Sequence, residues 1–235
     1  MSKKSCLRII NDLLDLKENP IPDIYININK ENIYNQHAMI IGPKGTPYFG
    51  GYYFFEINFP KTYPNKPPKV KFLTIDNEVR FHPNLYQEGK VCLSILGTWS
   101  GPPWTKIMTL KTVLLSIQSL LDDIPIRNEP SFEKTKRDDE KNIEYNCYIL
   151  YHNYRLAILE VLNKKFKVVS LFENEIKESF KNNYKVLLND LKSYELIYGK
   201  KTIKREIYFL KSKNVVNFKK LVKLFNKLNN EELEA

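Results

Sequence analysis

Cys92 and Asn84 are the residues of this 235-residue chain whose types and spacing could do chemistry together. They lie in the run Phe81-His82-Pro83-Asn84-Leu85-Tyr86-Gln87-Glu88-Gly89-Lys90-Val91-Cys92-Leu93-Ser94-Ile95-Leu96. A thiol attacks as its thiolate, and an asparagine amide is a neutral donor that can stabilise the oxyanion formed when a carbonyl is attacked. Thiol plus amide points to acyl transfer. A cysteine between Val91 and Leu93 can equally be a small buried hydrophobe, so its surroundings must decide.

Those surroundings carry a family pattern. The triplet His82-Pro83-Asn84, the cysteine eight residues on, and the upstream segment Phe59-Pro60-Lys61-Thr62-Tyr63-Pro64-Asn65-Lys66-Pro67-Pro68-Lys69-Val70-Lys71-Phe72 together resemble the core of a ubiquitin-conjugating enzyme, over about residues 1–133. The stretch from Leu96 through Trp99 to Trp104, and the later Arg127-Asn128-Glu129-Pro130, resemble the Z-type branch, which has its own C-terminal extension.

The resemblance implies an α+β, UBC-like fold with an N-terminal helix, a four-stranded antiparallel meander and a long central helix. It also implies an enzyme that takes ubiquitin, or a ubiquitin-like modifier, from an activating enzyme as a thioester on Cys92. The modifier then passes to a lysine amine of a substrate, a ligase or the enzyme itself. Asn84 would donate to the tetrahedral oxyanion or tie its loop to the segment after Cys92. Glu129, which aligns with the family's acidic residue after the long helix, would orient the incoming amine and help remove its proton. His82 and Pro83 would be structural, and Lys4 and Arg8 would meet the acidic docking domain of the activating enzyme. No cofactor and no metal is implied. Two departures fall on the ligase-facing surface: Asn65 where an aromatic or apolar residue is usual, and Lys106-Ile107 where Pro-Ala is common.

Two other readings compete. A cysteine hydrolase would pair Cys92 with His82, His37 or His152, but no local hydrolase signature surrounds the cysteine. A non-catalytic ubiquitin-binding variant would lack the cysteine, which is present in full context.

The elements that must position these residues follow from periodicity. Residues 3–18 read as a helix with an apolar stripe of Leu7, Ile10, Leu13, Leu14 and Leu16, stopped by Asn19-Pro20. Strand signals follow at Ile24 to Ile28, Ala38 to Ile41, Tyr52 to Phe59 and from Val70 to Phe72, separated by short turns. Gly42 to Pro47 and Gly50-Gly51 read as turn material. Prolines bar the segment Pro60 to Pro68 from a sheet interior. Thr109 to Leu121 read as a capped, core-facing helix.

Composition marks a boundary near Lys134. All 13 prolines and seven of the eight glycines lie before it. Residues 1–133 carry 15 Lys and Arg against 13 Asp and Glu, leaving +2, whereas residues 134–235 carry 22 against 14, leaving +8 of the total +10. The second part, 134–235, reads as a basic helical extension packed on the core. Its helices are marked by Cys147, Tyr151, Tyr154, Ile158 and Val161; by Ile176, Phe180, Tyr184, Leu187, Leu191 and Tyr194; and by Val215, Phe218, Val222 and Phe225. Its lysines match no nucleic-acid motif and arginine is scarce, so neither nucleic acid nor a membrane is read as a partner. Cys6, Cys92 and Cys147 form no disulfide framework, the scattered histidines have no metal-site spacing, and no signal or membrane-spanning run occurs. The expectation is a cytoplasmic or nuclear monomer.

Overall fold

The computed structural model describes residues 3–203 and 215–228. They fall into two compact units, Met1–Gly42 with Tyr52–Leu121, and Pro43–Gly51 with Asp122–Ala235.

In the first unit, helix α1 spans Lys3–Glu18 and buries Ile9, Leu13 and Leu16 at helical spacing. Strands β1 (Ile24–Asn27), β2 (Asn35–Ile41), β3 (Tyr52–Asn58) and β4 (Lys69–Phe72) form an antiparallel sheet in sequential order. One rung runs Ile26, Ala38, Phe55, Phe72 across all four strands. The meander expected from the short turns is therefore what forms. In β3 the residues Tyr52, Tyr53, Phe54 and Phe55 are all buried, so this interior strand is covered on both faces. Phe81, next to His82, packs edge-on against Tyr53 at 5.3 Å and Phe72 at 6.2 Å, which ties the segment carrying His82 and Asn84 to the sheet.

Helix α2 is Leu110–Gln118, capped by Thr109, whose hydroxyl and that of Thr112 exchange bonds with each other's backbone N–H. It ends short of the expected Leu121, because Leu120 and Leu121 turn back to the carbonyls of Ile117 and Gln118. The buried carboxylate of Asp12 joins three elements. It accepts from Arg8 Nε at 2.9 Å, from Leu110 N at 3.0 Å and from the Tyr63 hydroxyl. Trp104 Nε1 donates to Pro64 O at 2.7 Å, which fixes the proline-rich loop against the segment leading into α2.

The second unit contains the expected helix as one unbroken run, α3 (Glu140–His152), a π-helical segment (Asn153–Leu159) and a last turn, α4 (Glu160–Leu162). The 26-residue α5 (Glu173–Tyr198) packs against α6 (Phe218–Leu228). Tyr154, Phe180 and Tyr184 surround Phe225 at 5.6–5.8 Å between ring centres. Val215 does not belong to the last helix as its apolar period suggests. Val215–Asn217 is β6, paired with β5 (Lys200–Thr202), and Asn217 Oδ1 then accepts from Lys220 N at the start of α6. The segment 43–51 does more than turn the chain, since Asn153 Nδ2 donates to Phe49 O at 2.9 Å. Among the described residues no helix is long and apolar enough to cross a membrane.

Candidate active site

The eight-residue spacing of Asn84 and Cys92 is the span of a small hairpin. Leu85 bridges Val91, Tyr86 N donates to Lys90 O at 3.0 Å, and Gly89 N closes the turn on Tyr86 O at 2.9 Å. In that register Asn84 stands directly opposite Cys92. Cys92 N donates to Asn84 O at 2.9 Å, and Asn84 Nδ2 donates to Cys92 O at 2.7 Å.

The hairpin is fixed to the sheet edge through Gly89. Phe72 N donates to Gly89 O at 2.8 Å, and Lys71 bridges Lys90. Gly89 has φ +96°, and a Cβ there would stand 2.6 Å from Phe72 O, so only glycine permits this approach. Beyond the cysteine, the 3₁₀ turn Ser94–Leu96 is followed by Thr98, whose hydroxyl returns to the backbone beside Cys92.

His82 is fully buried. Its Nδ1 accepts from Asn84 N at 2.9 Å, which places the ring proton on Nε2, a buried atom without a hydrogen-bond partner. Burial, with the Arg80 charge adding to it, lowers the imidazole from its ordinary 6.5 to about 3. A neutral ring with one nitrogen bonded to Asn84 and the other unbonded makes no dyad with Cys92. Pro83 O accepts from Arg80 Nη2, and the Arg80 guanidinium lies 4.1 Å over the Tyr86 ring.

Cys92 is only 1% exposed. The buried Cys147 thiol is pushed up to about 12 by burial, which makes it inert, whereas Cys6 is half-buried. Glu129 is buried at the end of the 3₁₀ turn Pro125–Asn128; its N–H donates to Ile126 O, and its carbonyl accepts from Phe132 N. Lys4 is exposed on α1. Arg8, read as a surface contact, is turned inward: besides Asp12, its Nη1 donates to Lys106 O at 2.9 Å and its Nη2 to Met108 O at 2.7 Å.

Two roles had escaped the sequence reading. One is Thr98, whose hydroxyl bonds the backbone on both sides of Cys92 and whose signal in the sequence is a threonine immediately after Gly97. The other is Asp12, which no periodicity singles out among the polar residues of α1 although it is buried there.

The family model described as ubiquitin-conjugating enzyme matches residues 8–148. The chain belongs to that family. Within it, this family member is 40% identical over 185 residues to ubiquitin-conjugating enzyme E2 Z of Xenopus tropicalis, covering 78% of this chain and 58% of that protein. It is 39% identical over 180 residues to the Homo sapiens E2 Z, covering 76% and 50% respectively. Similarity also extends to a probable ubiquitin-conjugating enzyme of Caenorhabditis elegans, protein 17, at 44% over 149 residues, which is 60% of this chain and 20% of that one. The chain thus spans 50–58% of the length of the E2 Z relatives it matches. Among the described residues of this conjugating-enzyme relative, no group of three or more His, Cys, Asp and Glu is placed to hold a metal ion.

Proposed function

We propose that this chain is a ubiquitin-conjugating enzyme, with residues 1–133 as its catalytic core and residues 134–235 as an extension, working in the cytoplasm or nucleus. The observation that carries the reading is the hairpin that sets Asn84 opposite Cys92 in a chain of this family. Ubiquitin or a ubiquitin-like modifier arrives as a thioester of an activating enzyme. The Cys92 thiolate attacks the carbonyl carbon, the new carbon–sulfur bond forms, and the activating enzyme's thiolate leaves. One thioester replaces another, so the exchange needs little driving force.

The second transfer is harder. A lysine amine with a pKa of about 10.4 is mostly protonated at pH 7 and must lose a proton before its nitrogen can attack. Glu129 is assigned to orienting the amine and helping remove that proton. The amine nitrogen bonds to the carbonyl carbon, and the Cys92 thiolate departs. Asn84 has two amide hydrogens: one holds Cys92 O, and the other can donate to the oxyanion. Lys4 is assigned to the activating-enzyme contact, with Arg8 holding the helix end that presents it.

The test is a charging assay with ATP, ubiquitin and a panel of activating enzymes, resolved with and without reducing agent. A reducible adduct that Cys92→Ala cannot form is expected, and the enzyme that supports it identifies the upstream partner. An adduct of equal yield on Cys92→Ala would overturn the assignment.

A further inference from the structure

We infer that Thr98 is a positioning residue for Cys92: its single hydroxyl clamps the peptide groups on both sides of the nucleophile, and transfer from the thioester depends on that clamp. The inference rests on the role proposed for Cys92. Thr98 Oγ1 donates to Val91 O at 2.7 Å and accepts from Leu93 N at 2.9 Å; Leu93 O, at 3.2 Å, is a weaker alternative for the same proton. Asn84 holds the two groups between them, Cys92 N and Cys92 O. Four consecutive backbone polar groups, Val91 O, Cys92 N, Cys92 O and Leu93 N, are therefore each satisfied from outside the segment.

The division of labour is what makes Thr98 distinct. Asn84 fixes Cys92 from the incoming arm of the hairpin, whereas Thr98 fixes it from the outgoing chain. Leu93 is extended, at φ −140° and ψ 140°, so its N–H lies outside the 3₁₀ turn's own bonds and is met by the Thr98 hydroxyl. The hydroxyl reaches back because the 3₁₀ turn Ser94–Leu96 ends at Gly97 in the left-handed region, φ +69°, with Gly97 N bonded to Ser94 O at 2.9 Å. Thr98 N closes the loop on Leu93 O at 3.2 Å. A loop so closed fixes the backbone from which the Cys92 side chain projects, beside the Asn84 amide that bonds Cys92 O. Small misplacements of a reacting group cost rate steeply, because a thioester carbonyl must meet both its nucleophile and its oxyanion donor.

Two pairs of variants isolate the hydroxyl. Thr98→Val puts a methyl group of similar size in place of the hydroxyl, and Thr98→Ala lacks the hydroxyl that Thr98→Ser keeps. Single-turnover discharge of pre-charged enzyme to free lysine is expected to fall about 10- to 100-fold in Thr98→Val and Thr98→Ala. Thr98→Ser should stay within about 2-fold of wild type, because it keeps the bonds. If Thr98→Val does not fold, the Ala and Ser variants make the same comparison. A second readout uses uncharged full-length chain: Cys92 alkylation by iodoacetamide, followed on its own peptide, should rise about 10-fold without the hydroxyl as local opening becomes more populated. Discharge at the wild-type rate in Thr98→Val, or equal losses in Ser and Ala, would overturn the clamp. Failure of wild type to charge would instead sink the conjugating reading, and the alkylation comparison would still decide whether Thr98 holds Cys92.

Discussion

Asn84 and Cys92 satisfy each other's backbone across one rung of a hairpin, with the Asn84 side chain supplying a second bond to Cys92 O at 2.7 Å. The amide is thus structural before any substrate arrives, and its remaining hydrogen is what catalysis can use. Asn84→Ala should cost about 1–3 kcal/mol of stability, from the buried carbonyl left without its donor. It should also slow discharge to lysine by roughly 100- to 1000-fold, the usual loss for one oxyanion donor. Urea unfolding and single-turnover discharge separate the two: a stability loss with an unchanged rate would leave Asn84 only its structural part.

His82 predicts an acid sensitivity. Its folded-state imidazole titrates near 3 rather than 6.5, so between those values the unfolded chain binds the extra proton. Its contribution to stability is therefore intact above about pH 6.5 and is lost as pH falls towards 3, by up to about 1.4 kcal/mol per unit. His82→Asn keeps an acceptor within reach of Asn84 N and does not titrate. The pH slope of urea stability between 4 and 6 should be shallower in this variant than in wild type; parallel slopes would refute the assignment.

Lys4 and Arg8 should separate under substitution. Arg8 bonds Asp12, Lys106 O and Met108 O, and Asp12 is buried with Tyr63 and Leu110 as its other partners. Arg8→Ala is expected to lose about 1–3 kcal/mol in urea unfolding, since three bonds to a charged group go together. Lys4→Glu should leave stability within about 0.5 kcal/mol. It should instead slow charging, and added salt should narrow its gap to wild type, as expected for a rim charge that steers association. Equal charging by Lys4→Glu and wild type at low salt would remove Lys4 from that contact.

Periodicity made much of the fold legible. The helix over 3–18, the four strands and the cap at Thr109 are local patterns, although on the first helix the buried face is Ile9, Leu13 and Leu16, and Leu7 and Leu14 of the expected stripe stand exposed. Cys92 and Asn84 were legible as types, and their spacing turned out to encode a hairpin rung. What escaped the sequence depends on partners far away along the chain. Arg8 looks like a surface charge until Lys106 and Met108 present their carbonyls to it 98 and 100 residues later. The segment 43–51 reads as a bare turn until Asn153 reaches Phe49 O. Val215 fits a helical stripe, yet two β-branched residues before the Asn217 cap pair with β5 instead.

Glu129 carries the sharpest prediction about pH. If its carboxylate helps remove the proton of the incoming lysine, Glu129→Gln should slow discharge to free lysine by about 100-fold near pH 7. Charging should be unaffected, because thioester exchange needs no such proton transfer. The deficit should then shrink as pH rises towards the amine's own pKa of about 10.4, since more of the nucleophile arrives already neutral. A deficit that stays constant from pH 7 to 9.5 would show that the side chain acts by orienting the amine alone. No deficit at all would assign Glu129, buried at the end of its 3₁₀ turn, to holding the loop that follows α2.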